Sequence, residues 1–167
     1  MRKFCYFVLL AVSMFAFGCA STGATPQKTQ LQMREFQTRS YDTTDTKMVM
    51  KAILNVLQDD SYIVKNAQLD LGLLAAEKSV DVESASEAFW SKFWAGYNAT
   101  YKKASVVECT ANISEYGKQT RVRINFQAKT LDNKGGIVDV KQIDDEKYYQ
   151  EFFAKVDKGV FIQKEKL

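Results

Sequence analysis

Val107-Glu108-Cys109-Thr110-Ala111-Asn112-Ile113-Ser114-Glu115-Tyr116-Gly117-Lys118-Gln119-Thr120-Arg121-Val122-Arg123-Ile124-Asn125-Phe126-Gln127-Ala128-Lys129 is the stretch whose reading decides the fold. Val107, Cys109, Ala111 and Ile113 alternate with Glu108, Thr110 and Asn112. Val122, Ile124, Phe126 and Ala128 alternate with Arg121, Arg123, Asn125, Gln127 and Lys129. A period of two belongs to a strand, whose successive side chains point to opposite faces. Glu115-Tyr116-Gly117-Lys118 between the two runs is short enough for a hairpin turn. Each strand has one apolar and one polar face, so the sheet is expected to be antiparallel, covered on one side and wet on the other. Arg121, Arg123 and Lys129 fall in a row on the wet face. That row is either a solvated surface or a patch for an anionic ligand, and Glu108 on the facing strand favours the former.

Working outward, Asp132-Asn133-Lys134-Gly135-Gly136 predicts a second hairpin leading into a strand from Ile137 to Ile143. Upstream, Tyr62 to Gln68 and Leu73 to Val80 read as two strands joined at Leu69-Asp70-Leu71-Gly72. The polar end Glu77-Lys78-Ser79 predicts that the second of these leaves the sheet near there. Met33 to Tyr41, with Phe36, Thr38 and Ser40 in phase, reads as a first strand.

Val49, Ala52, Ile53, Val56 and Leu57 recur at i, i+3, i+4, i+7 and i+8, one face of an amphipathic helix. Asp42-Thr43-Thr44-Asp45 suits its positive start and Asp59-Asp60-Ser61 its end. The adjacent carboxylates Asp59 and Asp60 read as a solvated helix end rather than an acid-base pair. A last helix opens at Asp144-Asp145-Glu146 and carries Tyr148, Tyr149, Phe152, Phe153, Val156 and Val160, with Gly159 near its end. So apolar a stripe packs across a sheet. The expected class is α+β, an antiparallel sheet with helices packed on one face.

One segment does not belong to this frame. Residues 84–103 contain Phe89, Trp90, Phe93, Trp94, Tyr97 and Tyr101, six aromatics within 13 residues and both tryptophans of the protein. Phe89, Phe93, Tyr97 and Tyr101 recur at every fourth residue, a single helical face opposite Ser91, Lys92, Ala95 and Asn98. Three readings stay open: core packing over the sheet, anchors for a protein partner, and contact with the bilayer interface. Lys92 is balanced by Glu87, which argues against a strong electrostatic attraction to membranes, although Lys102-Lys103 follows.

The N-terminus has the form of a secretory signal: Arg2-Lys3, an apolar run from Phe4 to Phe17, then Gly18-Cys19. The run is too short for a comfortable membrane span. Phe15-Ala16-Phe17-Gly18-Cys19-Ala20-Ser21 resembles the lipobox of bacterial lipoproteins, with Phe in two places where the pattern prefers Leu and a small residue. The resemblance implies cleavage before Cys19 and a diacylglycerol thioether on its sulfur, with a further acyl chain such as palmitate on the new amine. Such a protein is anchored to the membrane rather than spanning it. Ala20 in place of Asp after the cysteine implies the outer membrane, facing the periplasm. The expected organisation is a signal peptide at 1–18, a lipidated Cys19 and flexible tether at 19–32, and one domain at 33–167 carrying the aromatic insertion.

Charge and cysteine usage narrow the function. Loss of Arg2 and Lys3 with the signal lowers the net charge from +3 to +1, which leaves no concentrated basic stripe for nucleic acid. Cys5 leaves with the signal and Cys19 is consumed by lipid, so Cys109 remains alone and reads as a small buried hydrophobe. There is no histidine, hence no Ser-His-Asp or Cys-His machinery and no His-ligated metal. No Gly-rich phosphate loop, EF-hand spacing or Gly-x-Ser-x-Gly is present. No cofactor beyond the covalent lipid, no metal and no catalysis are expected.

Arg34-Glu35-Phe36-Gln37-Thr38-Arg39-Ser40-Tyr41-Asp42, Leu54-Asn55-Val56-Leu57-Gln58-Asp59-Asp60, Leu71-Gly72-Leu73, Tyr148-Tyr149-Gln150-Glu151-Phe152-Phe153 and Val160-Phe161 together resemble a family of small uncharacterised bacterial lipoproteins. The likeness spans most of residues 34–162, with Ser61 standing where Gly would be expected after the first amphipathic helix. The order of elements is also similar to the helix-grip domains of the C lipoprotein of the outer-membrane β-barrel assembly machine. These resemblances imply little about activity; the six aromatics within 13 residues, with no catalytic motif beside them, favour a non-catalytic accessory or scaffold lipoprotein of an envelope complex that binds a protein partner. The alternative is a module holding a lipid or other apolar ligand between sheet and helix.

Overall fold

The structure is a computed structural model, and it describes residues 28–80, 104–132 and 134–165. The expected signal, Cys19 and the aromatic segment lie outside the described residues. Three helices and six strands follow in the order α1 (Gln30–Gln37), β1 (Thr38–Tyr41), α2 (Thr46–Asp59), β2 (Ile63–Gln68), β3 (Leu73–Val80), β4 (Ala104–Tyr116), β5 (Gln119–Leu131), β6 (Ile137–Gln142) and α3 (Glu146–Lys164). All strand pairs are antiparallel, in the spatial order β1-β5-β4-β3-β2, with β6 beside β5.

The long hairpin is the spine of the sheet. Tyr116 faces Gln119 across the two-residue turn Gly117-Lys118, and Gly117 supplies the positive φ that a turn following strand twist requires. Val107, Cys109, Ala111, Ile113, Val122, Ile124, Phe126 and Ala128 are all buried on one face, as the alternation predicts. Leu74 and Ala76 extend that face through β3, and α2 and α3 cover it. Gly159 lets the two helices approach closely: a Cβ there would meet the Ala52 Cβ at 3.4 Å. The helix therefore runs past Gly159 to Lys164 rather than ending near it.

One expectation about strands is corrected. Met33 to Gln37 is helical, and only Thr38–Tyr41 is strand. Thr29 and Gln32 form a reciprocal capping box, which satisfies orphan amides that an extended chain would leave to water. Residues 30–32, expected to belong to a flexible tether, begin this helix, and Lys28 bonds the Asp144 carbonyl at 2.7 Å. β3 ends at Val80, next to Glu77-Lys78-Ser79, as the sequence reading expects. It stays paired to Val80, because Glu77 lies on the polar face with Lys65 at 2.6 Å and Lys78 lays its ammonium over the Tyr62 ring.

The β5 edge opposite β4 is shared. β1 pairs with residues 120–123 and β6 with 127–131, leaving a break between them. Tyr149 closes it from α3: its phenol accepts from the Phe126 N–H at 3.1 Å, donates to the Ile143 carbonyl at 3.1 Å and accepts from Gln37 Nε2 at 3.3 Å. Both α1 and the chain into α3 depart at this break. Thus α2 and α3 lie on the apolar face while α1 sits at the sheet edge, with Phe36 against Tyr149 at 5.1 Å between ring centres.

Candidate functional site

The aromatic segment is the connection between β3 and β4, two strands that are direct antiparallel partners. Val80 lies opposite Ser105, so the 23 residues 81–103 leave and re-enter the sheet at neighbouring positions of one end. A hairpin needs two to five residues for this join. Phe89, Trp90, Phe93, Trp94, Tyr97 and Tyr101 of this connection lie outside the described residues, as does Cys19.

The sheet at that end carries a feature that sequence reading missed. Ser105 and Thr130 face each other in register on the inner side, each at most 1% exposed, and neither hydroxyl has a hydrogen-bond partner among the described residues. A buried hydroxyl without a partner costs about 1–3 kcal/mol. Their signal was present in the pattern, since both are polar residues in phase with the apolar positions of β4 and β5.

On the wet face the cationic row is broken up. Lys129 is held by Glu108, which also accepts from Gln127 Nε2 at 2.7 Å. The Lys129 hydrogen bond holds the Glu108 carboxyl below its usual range, against a smaller desolvation effect. This matters because Glu77 is the register partner of Glu108, and each carboxylate has its own lysine. Arg121 stacks on the Tyr116 ring at 3.6 Å. Arg123 borders a shallow groove of about 380 Å³ with Thr110, Asn112, Asn125 and Gln142. The row is therefore not uniform: Lys129 is ion-paired, Arg121 lies over a ring and Arg123 faces the groove.

Other candidate chemistry resolves into structure. Asp60 ends α2 and receives Lys155 Nζ at 2.5 Å. Cys109 is fully buried and burial pushes its thiol well above the ordinary value, so it is no nucleophile. Tyr62 and Tyr148 share a hydrogen bond at 2.9 Å, and burial raises the Tyr62 phenol far above its usual range. Among the described residues no group of three or more Asp, Glu or Cys side chains is placed to hold a metal ion, and no helix is long and apolar enough to cross a membrane.

No protein-family model and no curated protein matches this chain.

Proposed function

We propose that the protein is a non-catalytic accessory lipoprotein of a bacterial envelope complex, attached through lipid on Cys19 and engaging a protein partner through residues 85–103. The observation that carries this reading is the length and composition of the β3–β4 connection. Strand pairing needs only a short turn there, and a connection of 23 residues with six aromatics exceeds what a compact domain ordinarily uses without a binding role. Trp and Tyr are the side chains most often found as interface anchors.

Geometry is compatible with work near a membrane. Lys28 is fixed to the α3 entrance, so nine residue steps separate Cys19 from the folded domain. At about 3.3–3.6 Å per step the lipid lies within roughly 30 Å of that point. The long α3 gripping an antiparallel sheet agrees with a helix-grip-like arrangement, and the small-lipoprotein resemblance points to the same compartment. Outer-membrane attachment facing the periplasm is part of the proposal.

Trp90→Ala with Trp94→Ala tests it. Recovery of a membrane partner with the full chain should fall while the folded state and membrane attachment persist. Unfolding of the double variant would place both rings in the core and overturn the partner reading.

A second reading, a module for a lipid or other apolar ligand, draws on the buried Ser105 and Thr130 hydroxyls, which have no hydrogen-bond partner among the described residues. Native mass spectrometry of the full chain from detergent separates the two, since this reading requires a co-purifying mass that extraction with organic solvent removes.

A further inference from the structure

Of the cations expected in a row on the wet face, Lys129 is held by Glu108 and Arg121 lies over the Tyr116 ring, but Arg123 is differently placed. Its side chain makes no hydrogen bond, ion pair or ring contact among the described residues. The groove of about 380 Å³ that it borders has no acidic side chain in its lining. Strand alternation puts Arg123 and Asn125 on one face of β5, and β4 sets Asn112 and Thr110 opposite them in register. The side chains of Asn112 and Thr110 are likewise without partners among the described residues.

Asn125 is fixed from below. Its Oδ1 accepts from Gln142 Nε2 at 2.7 Å and from Gln37 Nε2 at 3.2 Å. Gln37 is only 1% exposed and also donates to the Tyr149 hydroxyl at 3.3 Å. With its carbonyl oxygen taken twice, Asn125 has its Nδ2 hydrogens left to donate. The network that closes the break in the β5 edge therefore also orients an amide donor beside a guanidinium that lacks a counter-charge.

We propose that this groove binds the carboxylate of a peptide, with Arg123 supplying charge and a planar fork of N–H donors and Asn125 Nδ2 a further donor. Charge selects carboxylate over phosphate: one uncompensated cation matches a monoanion, whereas a phosphate group approaching a charge of −2 would stay half-compensated. The rest of the groove suits a peptide. Asn112 and Thr110 offer hydrogen bonds to its amides, and Leu73, 42% exposed and in register with Asn112, offers apolar contact to a side chain. No aromatic ring lines the groove for a sugar to stack on. A chain terminus and an Asp or Glu side chain carry the same chemistry. The site is independent of Cys19 and of residues 85–103, so its failure and that of the envelope-partner reading are separate events.

Nuclear magnetic resonance of the isotope-labelled full chain in non-ionic detergent supplies the test, read at the side-chain amides of Asn112 and Asn125. The probes are acetyl-alanyl-alanine with a free carboxylate, the same peptide as its C-terminal amide, acetyl-glutamate amide with its side-chain carboxylate alone, and inorganic phosphate. Saturable shifts are expected with at least one of the two acids and not with the neutral amide, and the tighter acid names the source. Arg123 is exposed, so its substitution leaves the core untouched. Arg123→Ala should weaken binding by about tenfold or more, as loss of a charge-assisted hydrogen bond does. Arg123→Lys, which keeps the charge without the fork, should recover only part of this, and Arg121→Ala should change nothing. No saturable shift with either acid, equal response to the acid and its amide, tighter binding of phosphate than of both acids, or unchanged affinity in Arg123→Ala would each overturn the proposal.

Discussion

The Tyr149 hydroxyl takes the place of a missing strand residue opposite Phe126: it accepts the Phe126 N–H at 3.1 Å, where β1 has not yet begun and β6 has already ended. One side chain from α3 thus ties the break in the β5 edge to the Ile143 carbonyl and to Gln37 of α1. Burial raises the Tyr149 pKa above its ordinary 10.0, and the hydrogen bonds from Phe126 and Gln37 oppose the rise. The neutral phenol is therefore the form that the fold uses.

Tyr149→Phe keeps the ring contacts with Phe126 and Phe36 but leaves a buried amide without a partner. Loss of about 1–3 kcal/mol is expected in urea unfolding. Tyr148→Phe, whose hydroxyl bonds a second hydroxyl rather than the backbone, should cost less. Equal losses at the two positions would remove the special role given to Tyr149.

Gly72 precedes β3 with φ +63°, and a Cβ there would lie 1.8 Å from the Ile113 carbonyl oxygen. The Gly72 carbonyl accepts the Ile113 N–H at 2.7 Å, so the turn cannot retreat without losing that bond. Gly72→Ala should cost about 3 kcal/mol or more, or prevent folding. Gly117→Ala, with φ +65° but open space around it, should cost only the left-handed penalty of about 1–2 kcal/mol. Comparing the two urea midpoints checks the contrast.

Ser61 occupies the left-handed position after α2, with φ 64°. Its N–H bonds Gln58 and the Tyr62 N–H bonds Leu57, the Schellman arrangement that glycine ordinarily serves. Ser61→Gly removes the steric cost of a Cβ there and should raise stability by about 0.5–1 kcal/mol. A fall in melting temperature would show that the serine side chain contributes something further.

The pH profile of stability should be flat between about pH 6 and 8, because the chain has no histidine to titrate there. Above that range burial holds Cys109, Tyr41, Tyr62 and Tyr149 protonated in the fold. In the unfolded chain they ionise near their ordinary values of 9.0 and 10.0. The unfolded state then binds fewer protons than the folded one, so stability falls as pH rises past 9. On the acid side Glu108, depressed in the fold, contributes stability above its ordinary 4.5 that is lost as pH drops through its lowered value. Melting temperatures across this range provide the check.

Legibility in the sequence tracked the distance over which each interaction acts. The hairpin of β4 and β5 could be read directly, because strict alternation from Val107 to Ala128 specifies both period and buried face. The faces of α2 and α3 were equally plain from Val49 to Leu57 and from Tyr149 to Val160. Met33 to Gln37 misled because a few in-phase residues, Phe36, Thr38 and Ser40, imitate a strand over so short a span. The Thr29 and Gln32 capping box is the local signal for helix there. Ser105 and Thr130 were passed over because hydroxyls are tolerated on either face of a strand, and only pairing shows them buried opposite one another.

Composition and local pattern by themselves determined the α+β class, the absence of imidazole chemistry, and the hairpin with its two apolar faces, since these depend on residue type and on neighbours within a turn or strand. The tertiary structure alone decided that β1 and β6 share one edge of β5, that Gln37, Phe126 and Tyr149 converge on the break, and that residues 81–103 join two adjacent strand ends. Those relationships bring together positions up to 112 residues apart. No local periodicity encodes such meetings; they follow from burying one continuous apolar sheet face under α2 and α3 while giving the Phe126 amide at the break a partner.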